Sequence, residues 1–386
     1  MKMIYLDHAA TTATDPEVLE AMLPYFHEHY GNPSSIYSMS RVSKNAIENA
    51  REIVANALGA NPKEIVFTSS GSECDNFAIK GVALAKQQKG NHIITSSIEH
   101  HAVLYTCKFL EKNGFTVTYL PIDQDGIVKL DELEKAITPQ TILITVMHAN
   151  NEIGTIQPIR QIGEIARKNG ITFHTDAVQT FGHIPVNVDN LNVDILSISG
   201  HKFYGPKGVG ALYIRKGIKI TPLIHGGDQE RRRRASTENV PGIIGLGKAV
   251  EIAGKVMKSE AIRQTKLRDE FIRAILDNID DARLNGHPSL RLPNNVNISF
   301  EGIEGESILL NLDIERIAAS TGSACSSSSL EPSHVLLSIG LTHEFAHGSV
   351  RFSLGKQTTK DELDYVVEAL PGIVKKLRAM SPLYKK

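Results

Sequence analysis

The stretch VDILSISGHKFYGPKGVGALYI, residues 193–214, decides how the chain folds. It opens on an apolar run ending in Ser199 and closes on a second, GALYI, with His201, Lys202 and a turn rich in Gly and Pro between them. Short β-branched runs bounded by such turns read as strands. A lone lysine is ordinarily a solvated surface charge, but one that directly follows an apolar strand and is bracketed by glycines points into a cleft. Working outward, the runs EIVFTSS, HIITSS, TVTYLPI, TILITVMHAN and ITFHTDA alternate with helical patterns such as ECDNFAIKGVALAKQ, HAVLYTCKFLEKNG and IRQIGEIARKNG. That rhythm predicts an α/β fold, a mostly parallel sheet covered by helices on both faces, over residues 16–255. A charged helix, EAIRQTKLRDEFIRAILDNI, then leads into mixed strands and helices that end in TKDELDYVVEALPGIVKKL, where Thr359 and Glu362 have the spacing of a capping box. The expected division is a large α/β domain over 15–257 and a smaller α+β domain built from 1–14 and 258–386.

With 386 residues and 41% hydrophobic content the chain can bury more than one core. Its 42 basic and 43 acidic side chains nearly cancel, which gives no electrostatic reason to expect nucleic acid or an anionic membrane as a direct partner. A small-molecule substrate fits better. Three widely spaced cysteines, Cys74, Cys107 and Cys325, suggest neither a disulfide framework nor a zinc site and point to a reducing, cytoplasmic compartment. No run approaches the roughly 20 apolar residues of a membrane span.

In open α/β sheets ligands collect at the carboxyl ends of the strands, and those positions are polar here. Ser69–Glu73 opens a helix whose small residues and N-terminus suit a phosphate. His100 and His101 follow one strand, Asn150, Asn151 and Glu152 another, Asp176 and Gln179 a third, and Ser199, His201 and Lys202 a fourth. Singly, each has a bland reading: the serines and Asp176 can cap helices, and a histidine is more often a structural donor. Together they ask for one ligand with a phosphate, a heteroaromatic N–H⁺, a ring to stack on and an aldehyde to meet a lysine. Pyridoxal 5'-phosphate has all four.

The strings SGHKFYGPKGVGALY, HANNEIGTIQP, HTDAVQ, GNPSS and STGSACSSSSLEPSHVL resemble the cysteine desulfurases of the NifS/IscS type, and the resemblance runs from YLDHAATT to HGSVRFSLG. It implies a fold-type I pyridoxal-phosphate enzyme, a homodimer, that takes sulfur from L-cysteine and leaves L-alanine. Carried over, Lys202 is the lysine joined to the cofactor, His100 stacks on its ring and takes part in proton transfer, and Asp176 holds the ring nitrogen. Gln179 and Asn151 reach the ring oxygen and the substrate side. Gly71, Ser72, Ser199 and His201 hold the phosphate with Thr237 of the second subunit, and Arg351 binds the substrate carboxylate. Cys325 is the implied sulfur acceptor, its small-residue surroundings reading as a carrier arm. The implied partners are an iron–sulfur scaffold protein or another acceptor such as a tRNA-thiolation protein; no resident metal is expected, with Cys325 open as a transient iron–sulfur ligand. Cys74 and Cys107 read as packing residues. Another fold-type I activity, such as an aminotransferase or selenocysteine lyase, is the alternative, and a sulfur-carrier subunit without catalysis of its own is a third.

The chain departs from the family string in places. Where the family reads GGGQERGLRSGTEN, this chain has GGDQERRRRASTEN, with Asp228, Arg232, Arg233, Ala235 and Ser236 different. Ser70 and Ser72 stand for Gly and Thr, and Tyr37 and Ser40 for His and Gly. The four arginines 231–234 read as a solvated or dimer-interface segment rather than a nucleic-acid patch.

Overall fold

The computed structural model describes residues 3–321, 331–382 and 384. Cys325, the expected sulfur acceptor, lies outside the described residues. Among the described residues twelve strands form three sheets: β1 Ile4–Tyr5, β2 Ile65–Thr68, β3 His92–Ser96, β4 Thr116–Leu120, β5 Thr141–Thr145, β6 Thr172–Asp176, β7 Ile195–Ser199, β8 Gly210–Ile214, β9 Ala282–Leu284, β10 Asn295–Phe300, β11 Ile317–Ala318 and β12 Ser349–Ser353. The large sheet has the order β2-β8-β7-β6-β5-β3-β4. β8 runs antiparallel to β2 and β7; the other neighbours are parallel.

The pleat explains the continuous apolar runs. Successive side chains point to opposite faces, so Ile93, Leu143, Ile195 and Leu212 pack into one buried cluster with the helices Gly71–Lys86 and His101–Glu111. Ile94, Ile144, Leu196 and Ala211, one residue along, pack into the other with Ser38–Leu58, Ile159–Lys168 and the start of Val240–Asn278. Both faces are covered over β2, β3, β5, β7 and β8, which are buried along their length and read as largely apolar runs, whereas the edge strand β4, TVTYL, is partly exposed and alternates. The chain leaves β4 at one edge and enters β5 on the far side of β3. That reversal opens a crevice at the carboxyl ends of β3 and β5, bridged by Asn150 Nδ2 donating to Ile98 O at 2.8 Å.

A third apolar cluster joins Ile4 and Leu6 to Phe271, Val296, Ile298, Phe352 and Leu370, around the antiparallel sheet β12-β10-β9 and the parallel pair β1-β11. Residues Val335, Leu336, Ile339 and Leu341 instead pack into the large sheet's cluster, although they follow residue 258. The helix read from residue 260 onward begins at Val240 and runs unbroken to Asn278. The capping box is present: Thr359 Oγ1 accepts from Glu362 N at 3.3 Å, and Glu362 Oε2 accepts from Thr359 N at 3.0 Å.

Candidate active site

Five strand ends and one segment of the small sheet converge on a cavity of about 280 Å³. After β2, Ser70 caps the helix Gly71–Lys86, its Oγ accepting from Glu73 N at 3.1 Å. Glu73 is held in turn by Ser69 N at 2.8 Å and by Arg234 through bonds of 2.9 and 3.2 Å. Gly71 allows a close approach: a Cβ there would lie 2.7 Å from Val178 Cγ2. The helix N-terminus therefore abuts the chain just after Asp176, with Ser72 lining the cavity.

After β3, His100 caps the helix His101–Glu111, its Nδ1 accepting from Ala102 N at 3.1 Å. With Nδ1 accepting, the neutral ring carries its proton on Nε2. Burial, then the charges of Lys202, His101 and His334, push its pKa down to about 4, so the imidazole is neutral at pH 7. After β5, Asn150 Oδ1 accepts from Glu152 N at 2.8 Å and Ile153 N at 2.9 Å and shapes the turn that presents Asn151 and Glu152. At the end of β6, Asp176 Oδ1 accepts from Val178 N at 2.8 Å, and Gln179 Nε2 donates to Ala9 O at 3.0 Å. After β7, a 3₁₀ turn Gly200–Lys202 aims Lys202 Nζ at Ala9 O and Ala10 O, 2.7 and 2.8 Å away. From β12, the buried Arg351 donates to Asp7 Oδ1 at 2.9 Å and Asn151 O at 3.0 Å, while its Nε has no hydrogen-bond partner among the described residues.

Gly71, Ser72, His100, Asn151, Asp176, Gln179, Ser199, His201, Lys202 and Arg351 thus line one cavity. Thr237 does not; it is exposed on a second cavity of about 200 Å³, beside Ser69, Glu230 and Arg234. Asp75, Glu99, His334 and Asp7 are neighbours that strand-end reasoning passes over. One signal was available: Asp75 lies four residues beyond Gly71, on the same helix face.

These residues fit pyridoxal phosphate. Asp75 Oδ1 is buried without a hydrogen-bond partner among the described residues. Burial first, then the neighbouring Asp176 charge, holds the Asp75 carboxyl well above the usual range. Burial pushes Asp176 up to about 6, against the pull of Val178 N–H and the Lys202 charge. A wall carrying two desolvated carboxyls suits a cationic ring N–H. The helix N-terminus with Ser72, Ser199 and His201 suits a phosphate, and Lys202 is the amine for an aldehyde.

Comparison with known proteins adds the following. The family model described as aminotransferase class-V matches residues 4–366. A cysteine desulfurase IscS of Clostridium botulinum is 59% identical over 100% of this chain and 97% of its own length. One of Methanosarcina thermophila is 61% identical over 100% of this chain and 95% of its own. Among solved structures, a NifS-like protein superposes with a TM-score of 0.92 at 42% identity, covering 97% of this chain and 100% of its own. A structure described as SspA in complex with cysteine gives a TM-score of 0.81 at 42% identity, covering 91% and 98%.

Proposed function

We propose how this chain, which belongs to the class-V aminotransferase family and is a cysteine desulfurase dependent on pyridoxal 5'-phosphate, divides its chemistry among the residues of the cavity. Ser72, Ser199, His201 and the first-turn amides of the helix at Gly71 hold the phosphate. Asp176 pairs with the ring nitrogen, Gln179 with the ring oxygen, and His100 lies against the ring face. Bound there, the cofactor supplies an electron sink for the pair left at the substrate Cα. Lys202 would anchor it through its amine, and Lys202 Nζ takes the substrate Cα proton as general base. Arg351 meets the substrate carboxylate with its guanidinium fork, and Asn151 faces the same side.

Cys325 is the sulfur acceptor. Its thiolate attacks the substrate sulfur; an S–S bond forms, the Cβ–S bond breaks, and its electron pair stays with the substrate carbon, which gains a proton and leaves as alanine. The persulfide then passes to an acceptor, an iron–sulfur scaffold or another sulfur carrier. One observation carries this choice. Cys74 and Cys107 are both 0% exposed, with the Cys74 thiol raised well above its ordinary value and Cys107 pushed up to about 12, both by burial first. Neither can serve as a surface thiolate. A homodimer is part of the same reading: Thr237 lies outside this chain's cofactor cavity, and Phe26, Tyr30 and Ile36 are large apolar side chains left exposed. A reducing cytoplasm would keep Cys325 available as a thiol.

The test is mass spectrometry after cysteine treatment, with alanine release measured in parallel. A gain of about 32 Da, one sulfur, is expected on Cys325, and Cys325→Ala should release no alanine by desulfuration. A label on another residue, or ordinary turnover in that variant, would refute the assignment.

A further inference from the structure

Glu152 has no place in the chemistry above, yet it lines the cavity and is almost wholly buried. Its backbone is fixed from two directions. Asn150 Oδ1 accepts its N–H at 2.8 Å, and its carbonyl accepts from Asn295 Nδ2 at 3.0 Å and Asn297 Nδ2 at 3.2 Å on β10. Its carboxyl is therefore a rigid acceptor, and it receives Ser333 Oγ–H at 2.5 Å. Ser333 in turn caps the helix His334–Ser338, accepting from Val335 N at 3.1 Å and Leu336 N at 3.3 Å. His334 Nε2 adds a bond to Glu99 O at 3.0 Å.

The other side of the same chain segment is fixed as firmly. Ser320 and Arg351 exchange backbone bonds, Ser320 N to Arg351 O at 3.1 Å and Arg351 N to Ser320 O at 2.6 Å. Arg351 also donates to the carbonyl of Asn151, the residue beside Glu152, at 3.0 Å. The described residues on either side, Ser320 and Ser333, are therefore each held by a group that lines the cavity: Ser320 by Arg351, Ser333 by Glu152. A reactant tethered at two nearby points has a higher effective concentration at the site than one tethered at a single point.

We propose that Ser333 and Glu152 are a positioning pair, which pins the C-terminal end of the segment carrying Cys325 beside the substrate and so sets the rate at which that cysteine takes the sulfur. The inference rests on Cys325 being the acceptor. Neither residue performs the Cα chemistry, so the pair acts on the transfer step alone.

The experiment follows two reactions in the cofactor-loaded enzyme: persulfide formation on Cys325 by rapid quench and mass spectrometry, and exchange of the L-alanine Cα proton in D₂O, which uses Lys202 and the cofactor but no thiol. Ser333→Ala is expected to slow persulfide formation about tenfold, the worth of one buried hydrogen bond, with KM for cysteine and alanine exchange unchanged. Ser333→Asp keeps the helix cap but sets a carboxylate against Glu152, and should slow the same step; Ser333→Thr keeps cap and donor and should restore the rate. Wild-type persulfide formation in both Ser333→Ala and Ser333→Asp would overturn the proposal, as would an equal loss of alanine exchange. If instead the sulfur of the wild-type enzyme is found away from Cys325, the acceptor assignment fails and this proposal with it; a label on Cys325 with an unchanged rate in the variants overturns the positioning pair alone.

Discussion

Replacing Glu230 by Gln should destabilise the protein by about 2–4 kcal/mol. Arg51 and Glu230 are 3% and 7% exposed and are joined by parallel bonds of 2.7 and 2.8 Å, with Phe67 N–H completing the carboxylate at 3.0 Å. A Gln side chain turns an NH₂ toward the guanidinium and leaves a buried cation facing a donor. Breaking one partner of a buried pair costs about 3–5 kcal/mol; Glu48, 3.1 Å from Arg51 Nε but half-exposed, returns at most about 1 kcal/mol. The pair also restrains a strained segment. Glu230, Arg231 and Arg232 have φ of 47°, 57° and 64°, a left-handed conformation that costs a non-glycine residue about 1–2 kcal/mol. Released from Arg51, residues 230–232 should relax, and tryptic cleavage among Arg231–Arg234 should quicken. The assay is urea unfolding of the cofactor-free protein together with limited trypsinolysis, and the double variant Arg51→Met/Glu230→Gln should recover at least half of the loss. A single-variant loss below about 1 kcal/mol, or a double variant no better than the single, would refute the reasoning.

Three further predictions are independent of that clamp. Ser236 has φ 129°, so Ser236→Gly should stabilise by about 1 kcal/mol, the relief of strain less the extra freedom of an unfolded glycine, read as a raised urea midpoint. With its carboxyl at about 6 instead of 3.8, ionised Asp176 costs the cofactor-free fold about 3 kcal/mol. That cost is absent below pH 3.8, grows as pH rises to about 6 and is full above it; Asp176→Asn should therefore stabilise the cofactor-free protein at pH 7 yet weaken cofactor retention, and a variant that unfolds earlier at pH 7 would contradict the sign. Cys74→Ser should leave sulfur transfer intact, because Cys74 Sγ is fully buried and 2.9 Å from Thr68 Oγ1; loss of the persulfide on Cys325 in this variant would count against the assignment.

What was legible in the sequence follows from the sheet. Strands buried on both faces read as largely apolar runs, and polar residues gather at their carboxyl ends, so Asp176, the last residue of β6, and Lys202, His100 and Asn151, 3, 4 and 6 positions past the ends of β7, β3 and β5, could be found by counting along the chain. The residues passed over reach the site by other routes. Ala9 and Ala10 contribute only carbonyls to Lys202, and backbone groups leave no trace in residue type. Glu99 precedes a histidine that draws attention away from it, and His334 arrives from a helix 234 positions downstream of His100 through its bond to Glu99 O.

Glycine was the residue most easily misread, in both directions. The helix Val240–Asn278 carries Pro241, Gly242, Gly245 and Gly247 in its first turns, which break the apolar period and made the helix visible only from residue 260. There the glycines serve close packing: a Cβ on Gly245 would lie 2.6 Å from Met22 Sδ and one on Gly247 would lie 2.8 Å from Ala50 Cβ. At 232 and 236, where the related string has glycine, this chain places Arg and Ser in positive-φ backbone. Propensity alone would reject both arrangements. Each stands because tertiary contacts supply more than the local cost: helix packing against Ser38–Leu58 in one case, and in the other the buried Arg51–Glu230 pair, which fixes the arm that carries Thr237 while leaving that residue exposed.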